Sequence, residues 1–108
     1  MRCECGEIVV DGADDLPHKA HFIPNQDWFR VFEAVDEILG EVSAGSMTMS
    51  DAKMAVRRAH LVASRMMWQC GNCGRLLVSD CDRKVNVYAP ATESDSKEIL
   101  KSHDLVVR

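Results

Sequence analysis

The sequence predicts an α+β fold, in which β-hairpins carry a metal site and an antiparallel helical hairpin is inserted between its two halves. Two short cysteine–glycine segments, Cys3–Val10 and Cys70–Val78, each end in an apolar run of β-forming residues. Between them, from about 25 to 67, apolar residues recur every three or four positions, as in amphipathic helices. A chain of 108 residues is expected to form a single domain over 1–108, with a C-terminal tail from about 91 to 108.

The cysteine spacing predicts a metal site with four ligands, namely Cys3, Cys5, Cys70 and Cys73. Zn²⁺ favours four tetrahedral ligands, and thiolate sulfur is among the ligands it prefers. A tight turn between two cysteines lets both sulfurs reach one ion. The glycine that follows each pair can adopt positive φ at little cost, so the chain can turn away from the metal into a strand. We therefore expect one structural Zn²⁺ per chain.

Two other roles for the cysteines are less favoured. A disulfide framework needs an oxidising compartment, yet Met1–Gly6 leads directly into the first cysteine pair without the apolar core of a signal peptide. Trp68–Cys73 resembles the thioredoxin active-site motif, in which the first cysteine begins a helix. Here the β-forming run Gly74–Val78 follows instead, which argues against a thiol redox protein. The fifth cysteine, Cys81, is expected to be a free thiol on a hairpin tip.

The first helix is predicted from about Gln26 to Val42. Acidic residues, among them Glu33 and Glu37, occupy the face opposite its apolar stripe. The apolar stripe, expected to be buried, comprises Trp28, Val31, Phe32, Val35, Ile38, Leu39 and Val42.

The second helix is predicted from about Asp51 to Met66. Thr48 or Ser50 can cap it, and Thr48 with Asp51 has the spacing of a capping box. Its core stripe is rich in alanine, which favours close approach to the first helix. We expect Val62 to be buried and Arg57 to be exposed. The predicted stripe comprises Ala52, Ala55, Val56, Ala59, Val62, Ala63 and Met66.

The region after the second cysteine pair is predicted to form a β-hairpin. Its strands are Leu76–Val78 and Val85–Tyr88, and a polar turn separates them. A short helix is expected around Lys97–Lys101, with Ile99 and Leu100 docked on the body of the domain.

The segments Cys3-Glu4-Cys5-Gly6 and Cys70-Gly71-Asn72-Cys73-Gly74, with the β-forming runs after them, resemble the zinc ribbon fold group. The resemblance covers about a third of the chain. It implies a two-knuckle zinc ribbon, in which a structural Zn²⁺ without an open coordination position holds two β-hairpins together.

No grouping of residues predicts an active site. The sequence has no Ser/His/Asp set, no glycine-rich phosphate loop and no zinc-protease helix. A metal held by four cysteines leaves no position for substrate or activated water. We therefore expect a non-enzymatic protein. No apolar run approaches the ~20 residues of a membrane span, so the cytoplasm is the expected location.

Charge is divided unevenly along the chain, whose net charge is −4. Residues 1–45 hold ten acids and three bases, whereas residues 46–85 hold three acids and seven bases. An acidic chain is a poor candidate for general nucleic-acid binding, which depends on neutralising phosphates. We expect a protein-interaction module, such as an adaptor, an inhibitor or an immunity-type protein. The candidate partner-binding residues are Glu33, Glu37, Arg57 and Arg58.

The alternative function is a nucleic-acid-associated regulator that uses the ribbon hairpin. Its contacts would come from Arg75, Arg83 and Lys84, with help from the second helix.

Overall fold

The computed structural model describes residues 1–108 and is α+β, with two helices and a four-stranded antiparallel sheet in the order β1-β2-β3-β4. Neither helix is both long and apolar enough to cross a membrane. The elements in chain order are β1 (Lys19–Phe22), α1 (Asn25–Ser43), α2 (Met49–Ala63), β2 (Arg65–Gln69), β3 (Leu76–Ser79) and β4 (Val85–Tyr88).

The chain divides into two compact units, which we call the cysteine unit and the helical unit. The cysteine unit comprises Met1–His21 and Met66–Arg108, and the helical unit comprises Phe22–Arg65. The cysteine unit therefore contains all five cysteines.

The core of the cysteine unit is small and lies next to the cysteines. Its buried members are Cys3, Val9, Trp68, Cys70 and Leu77. β2 pairs with β3 so that Trp68 lies opposite Leu77, which places two core side chains side by side on the sheet. Burial of an apolar side chain of this size contributes about 1.5–3 kcal/mol. With so few such side chains the core is modest, and a bound metal would add substantially to the stability of the unit.

The predicted hairpin after the second cysteine pair is confirmed as β3 and β4. Their register pairs Leu76 with Tyr88 and Ser79 with Val85. In the polar turn between them, the Asp80 carboxylate accepts hydrogen bonds from the backbone N–H groups of Asp82 and Lys84. The hydrogen bond that the Asn86 side chain donates is the largest cause that lowers the pKa of Asp80, and these two backbone bonds lower it further.

The first cysteine pair does not lead into a full strand, contrary to the expectation for its apolar run. Arg2 and Ile8 form a single antiparallel bridge. The loop between them closes through hydrogen bonds from Cys3 N–H to Glu7 O and from Gly6 N–H to Cys3 O. Beyond the bridge, Val9 N–H donates to Met1 O at 2.8 Å and the Met1 amino group donates to Val9 O at 3.0 Å.

In the helical unit, α1 runs one residue beyond each predicted end. Of the two cap candidates for α2, Thr48 is the cap and Ser50 lies inside the helix, because the Thr48 hydroxyl oxygen accepts a hydrogen bond from Asp51 N–H at 3.1 Å. The exposure predicted for Glu37 and Arg57 is also confirmed.

The expected burial of the helical stripes is only partly correct. Val31 and Ala52 are the buried residues of the two helices, and Val35 is half-buried. Val62, expected in the core, is 74% exposed. Three other residues expected in the core are also exposed: Trp28, Phe32 and Leu39. On α2, the alanines of the stripe are buried or half-buried, whereas Val62 is exposed.

The prediction that the second helix reaches Met66 is wrong. α2 ends at Ala63, and Ser64 adopts an extended conformation with ψ 152°. Met66 and Met67 belong to β2, where Met67 pairs with Val78. The apolar spacing is compatible with either structure, and pairing with β3 decides in favour of the strand.

The short helix predicted around Lys97–Lys101 does not form, and this segment is irregular apart from a turn at Ile99–Leu100. A buried side chain takes the backbone hydrogen bonds that a helix would use. Gln69, only 2% exposed, donates through Nε2 to Ser96 O at 2.9 Å and accepts from Ile99 N–H at 2.9 Å. Leu100 is half-buried, whereas Ile99 is exposed.

Candidate metal centre

The four predicted ligands come together from two tight turns of the cysteine unit. Cys3 and Cys5 lie in the loop closed by the bridge between Arg2 and Ile8. Cys70 and Cys73 lie in the turn that joins β2 to β3. All four sulfur atoms lie within 4.8 Å of one another.

Glycines shape both turns, as their positions in the sequence predict. Gly6 has φ 95° and Gly74 has φ 78°, a region that other residues adopt only at a cost. At Gly74 space is also limiting. A Cβ there would lie 3.0 Å from Cγ of Pro90 and 3.1 Å from Cγ of Lys97. Glycine therefore permits both the turn and the close approach of the residues after β4.

The distances between sulfurs fit a tetrahedral ion. Cys3 Sγ lies 3.5 Å from Cys73 Sγ, and Cys5 Sγ lies 3.6 Å from Cys70 Sγ. A regular tetrahedron with metal–sulfur bonds of ~2.3 Å has sulfurs about 3.8 Å apart. The sulfurs are not joined as disulfides. The cluster is thus compatible with one bound metal ion, to which each cysteine would supply one thiolate.

The site is buried on one side and open on the other. Cys3 and Cys70 are buried, Cys73 is half-buried and Cys5 is exposed. Buried thiols without a charge partner favour the neutral form. The backbone N–H of Cys5 lowers the pKa of Cys3, but burial and the neighbouring thiols together outweigh this effect and raise the pKa to about 11.

Hydrogen-bond donors surround the more accessible thiols. Burial raises the pKa of Cys73, but the backbone N–H and the guanidinium of Arg75 more than offset this and lower it to about 6. Arg75 Nη1 lies 3.4 Å from Cys73 Sγ, and Asn72 Nδ2 lies 3.6 Å from Cys5 Sγ. The backbone N–H of Glu7 and the Asn72 amide lower the pKa of Cys5. Donors of this kind stabilise the negative charge that four thiolates retain around a divalent ion.

Arg75 and Asn72 are functional candidates whose role beside the cysteines the sequence did not predict. The signal lay in their positions, because Asn72 is inside the second cysteine pair and Arg75 is two residues after it. Arg75 also lies 3.9 Å from a carboxylate oxygen of Glu4, between Cys3 and Cys5. It therefore links the two turns from outside the metal site.

The remaining candidates lie outside the sulfur cluster. Cys81 is exposed in the turn between β3 and β4, as expected for a free thiol. His18 Nε2 is 2.6 Å from Val10 O, so this ring serves the fold. The four candidate partner-binding residues are exposed on α1 and α2: Glu33, Glu37, Arg57 and Arg58.

Residues 1–95 match the family described as Domain of unknown function (DUF8617), and the chain belongs to that family. The match includes both cysteine turns, both helices and the whole sheet. Comparisons with curated proteins and with solved structures give no match.

Proposed function

We propose that the four-cysteine cluster binds one structural Zn²⁺ and that the cysteine unit is a two-knuckle zinc ribbon. Tetrahedral sites with four sulfurs suit zinc or iron, and the proposal is zinc because this ion has no redox chemistry of its own, as suits a structural role. Four protein ligands leave no open coordination position, so the ion has a structural role. The sulfur–sulfur distances of 3.5 and 3.6 Å are the observation that supports the metal site.

We further propose that the protein is a non-enzymatic module that binds another protein. The observation that favours this function is an exposed aromatic cluster on α1, formed by Trp28, Phe29 and Phe32. The Phe32 ring lies 5.2 Å from Trp28 and 6.0 Å from Phe29, in edge-to-face packing. Phe29 is 67% exposed. Aromatic side chains are enriched at the centres of protein interfaces. On a protein surface that binds no partner, large contiguous apolar patches are rare.

The acidic residues of α1 suggest the chemistry of this partner. Glu33 and Glu37 lie one and two turns along the helix from Phe29 and are exposed. A partner with an apolar anchor flanked by Lys or Arg would complement this face, because opposite potentials speed encounter and exclude wrong partners. Arg57 and Arg58 on α2 are the alternative contact residues.

The test is capture of partners on immobilised zinc-loaded protein, followed by mass spectrometry and by titration of the purified partner. Phe29→Ala and Glu33→Lys should each weaken that complex, on the order of tenfold or more for an aromatic anchor. Leu61→Ala is the matched control, because Leu61 is an apolar residue with the same 67% exposure on α2. Equal affinity for wild type, Phe29→Ala and Glu33→Lys would refute α1 as the contact surface.

The nucleic-acid alternative depends on the hairpin turn, where Arg83 and Lys84 are exposed. Arg75, the third residue of that hypothesis, is instead turned to Cys73. A gel-shift titration with generic DNA and RNA tests the alternative. A sub-micromolar dissociation constant at ~150 mM salt, tighter than the usual non-specific range of about 10⁻⁴–10⁻⁶ M, would favour it over the protein-interaction function.

A further inference from the structure

The four cysteines of the metal centre differ in their access to solvent. Cys3 and Cys70 are 2% and 0% exposed, Cys73 is half-buried, and Cys5 is exposed. The guanidinium of Arg75 also stands beside the half-buried thiol, with Nη1 3.4 Å from Cys73 Sγ. A dissolved reagent that reacts with sulfur therefore meets Cys5 before it meets the other three.

A second sulfur, which comes from the other cysteine turn, stands beside this exposed thiol. Cys5 Sγ lies 3.6 Å from Cys70 Sγ, although the two residues are 65 positions apart in the sequence. A disulfide bond is ~2.05 Å long, so these sulfurs need to approach each other by only ~1.6 Å to form one. Accessible cysteines that are sensitive to oxidation often have such a second thiol within reach, which completes a disulfide.

We infer that Cys5 is the site at which a peroxide oxidises the metal centre, and that Cys70 then forms a disulfide with it and the ion is released. The inference rests on the proposed zinc site. Zn²⁺ has no redox chemistry of its own, so the electrons come from its thiolate ligands. The reaction is a stoichiometric modification of two ligands and is distinct from the catalytic thiol chemistry of thioredoxin.

Two steps account for the atoms and the electrons. The Cys5 thiolate attacks one oxygen of hydrogen peroxide, the O–O bond breaks, and the hydroxide that leaves takes up a proton and becomes water. Cys5 is then a sulfenic acid. The Cys70 thiolate attacks the Cys5 sulfur, the S–O bond breaks, and a second hydroxide leaves and is protonated to water. The two thiolates have given two electrons to the peroxide, and Zn²⁺ leaves with its charge unchanged because two of its four ligands are gone.

The disulfide joins the same two turns that the metal joins. Cys5 belongs to the loop closed by the bridge between Arg2 and Ile8, and Cys70 belongs to the turn between β2 and β3. A cross-link between distant residues stabilises a fold because it restricts the unfolded chain. Oxidation should therefore release the metal while the cysteine unit stays folded, whereas a chelator removes the metal and leaves the two turns unlinked. A dithiol reductant should reverse the modification by thiol–disulfide exchange.

The experiment treats the zinc-loaded full chain with increasing amounts of hydrogen peroxide. A colorimetric zinc indicator follows release of the ion, and the remaining thiols are alkylated before digestion with trypsin. Trypsin leaves the first cysteine pair in the peptide 3–19 and the second pair in the peptide 66–75. A disulfide between the turns joins these two peptides, whereas a disulfide within one turn leaves them separate.

Tandem mass spectrometry then shows which cysteines carry the alkyl group. We expect joined peptides with alkylated Cys3 and Cys73, and therefore a disulfide between Cys5 and Cys70. About one equivalent of zinc should be released for each disulfide formed, and reduction should restore zinc binding. The oxidised protein should melt at a higher temperature than reduced protein from which a chelator has removed the metal.

Cys81 provides the matched control, because it is the other exposed cysteine and lies outside the sulfur cluster. Cys81→Ser should release zinc at the same rate as wild type and give the same joined peptides. The inference is overturned if peroxide leaves the zinc bound, if the disulfide lies within one turn or joins Cys3 to Cys73, if Cys81→Ser prevents release, or if the oxidised protein melts no higher than the chelated one.

The proposed metal site fails by a different result. Protein that contains no zinc before peroxide is added would refute that site. The joined peptides would still show whether Cys5 and Cys70 form a disulfide.

Discussion

Replacing Gln69 with alanine tests how the segment after β4 is held on the cysteine unit. The Gln69 side chain is 2% exposed and makes three hydrogen bonds to backbone groups. Nε2 donates to Gly74 O at 3.2 Å and to Ser96 O at 2.9 Å, and Oε1 accepts from Ile99 N–H at 2.9 Å. One side chain therefore connects the end of β2, the cysteine turn and the segment 96–99.

The expected cost follows from these three bonds. Each hydrogen bond contributes about 1 kcal/mol net to stability. A buried donor or acceptor that loses its partner destabilises the protein more than an exposed one does. Ser96 and Ile99 are exposed, so water can replace the lost partner there, whereas Gly74 is buried. We therefore expect Gln69→Ala to lower the free energy of unfolding by about 2–3 kcal/mol. Urea denaturation of the zinc-loaded protein measures this change.

Hydrogen exchange gives a second, local readout. The Ile99 amide should lose its protection in Gln69→Ala, because its acceptor is gone. Gln26→Ala, at an exposed position of α1, removes the same side chain and should change stability by no more than about 0.5 kcal/mol. Equal effects of Gln69→Ala and Gln26→Ala, or an unchanged Ile99 exchange rate, would refute this account of the segment.

Three further predictions test the site and the helices. Cys73→Ser should lower the melting temperature sharply, because metal binding and folding are coupled, whereas Cys81→Ser should leave it within a few degrees; equal damage would mean that the ligand set is wrong. Val31→Ala should cost about 1–3 kcal/mol from lost burial and the cavity it leaves, and a loss no greater than that of an exposed variant would contradict the packing of α1. Thr48→Ala should cost about 1 kcal/mol through loss of the α2 cap, measured by urea denaturation.

The features that could be predicted from the sequence are those that neighbouring residues determine. The two cysteine turns, the Thr48 cap and the β3–β4 hairpin each depend on residues a few positions apart. Gly6 and Gly74 were expected to adopt positive φ because of their place after each cysteine pair, and both do so. The convergence of Cys3 and Cys70 over a long separation followed from the chemistry of a shared ion.

The features that could not be predicted depend on tertiary partners. Met66 fits an apolar helical stripe, but β3 offers its neighbours a strand to pair with. Val62 fits the same stripe, yet it is 74% exposed and lines the open groove between the two helices. β1 was not identified as a strand because Lys19–Phe22 has no clear alternation. The helix expected around Ile99 fails because Gln69, 30 residues earlier, takes its backbone hydrogen bond.

The metal content of the protein tests the central claim most directly. Protein purified without exposure to chelator should contain about one zinc per chain by elemental analysis, and X-ray absorption should show four sulfur ligands at ~2.3 Å. Removing the metal should remove the link between the turns that carry Cys3 and Cys70, and it should therefore lower the melting temperature. Well under half an equivalent of zinc, a site filled by iron, or nitrogen and oxygen ligands in place of sulfur would contradict the account.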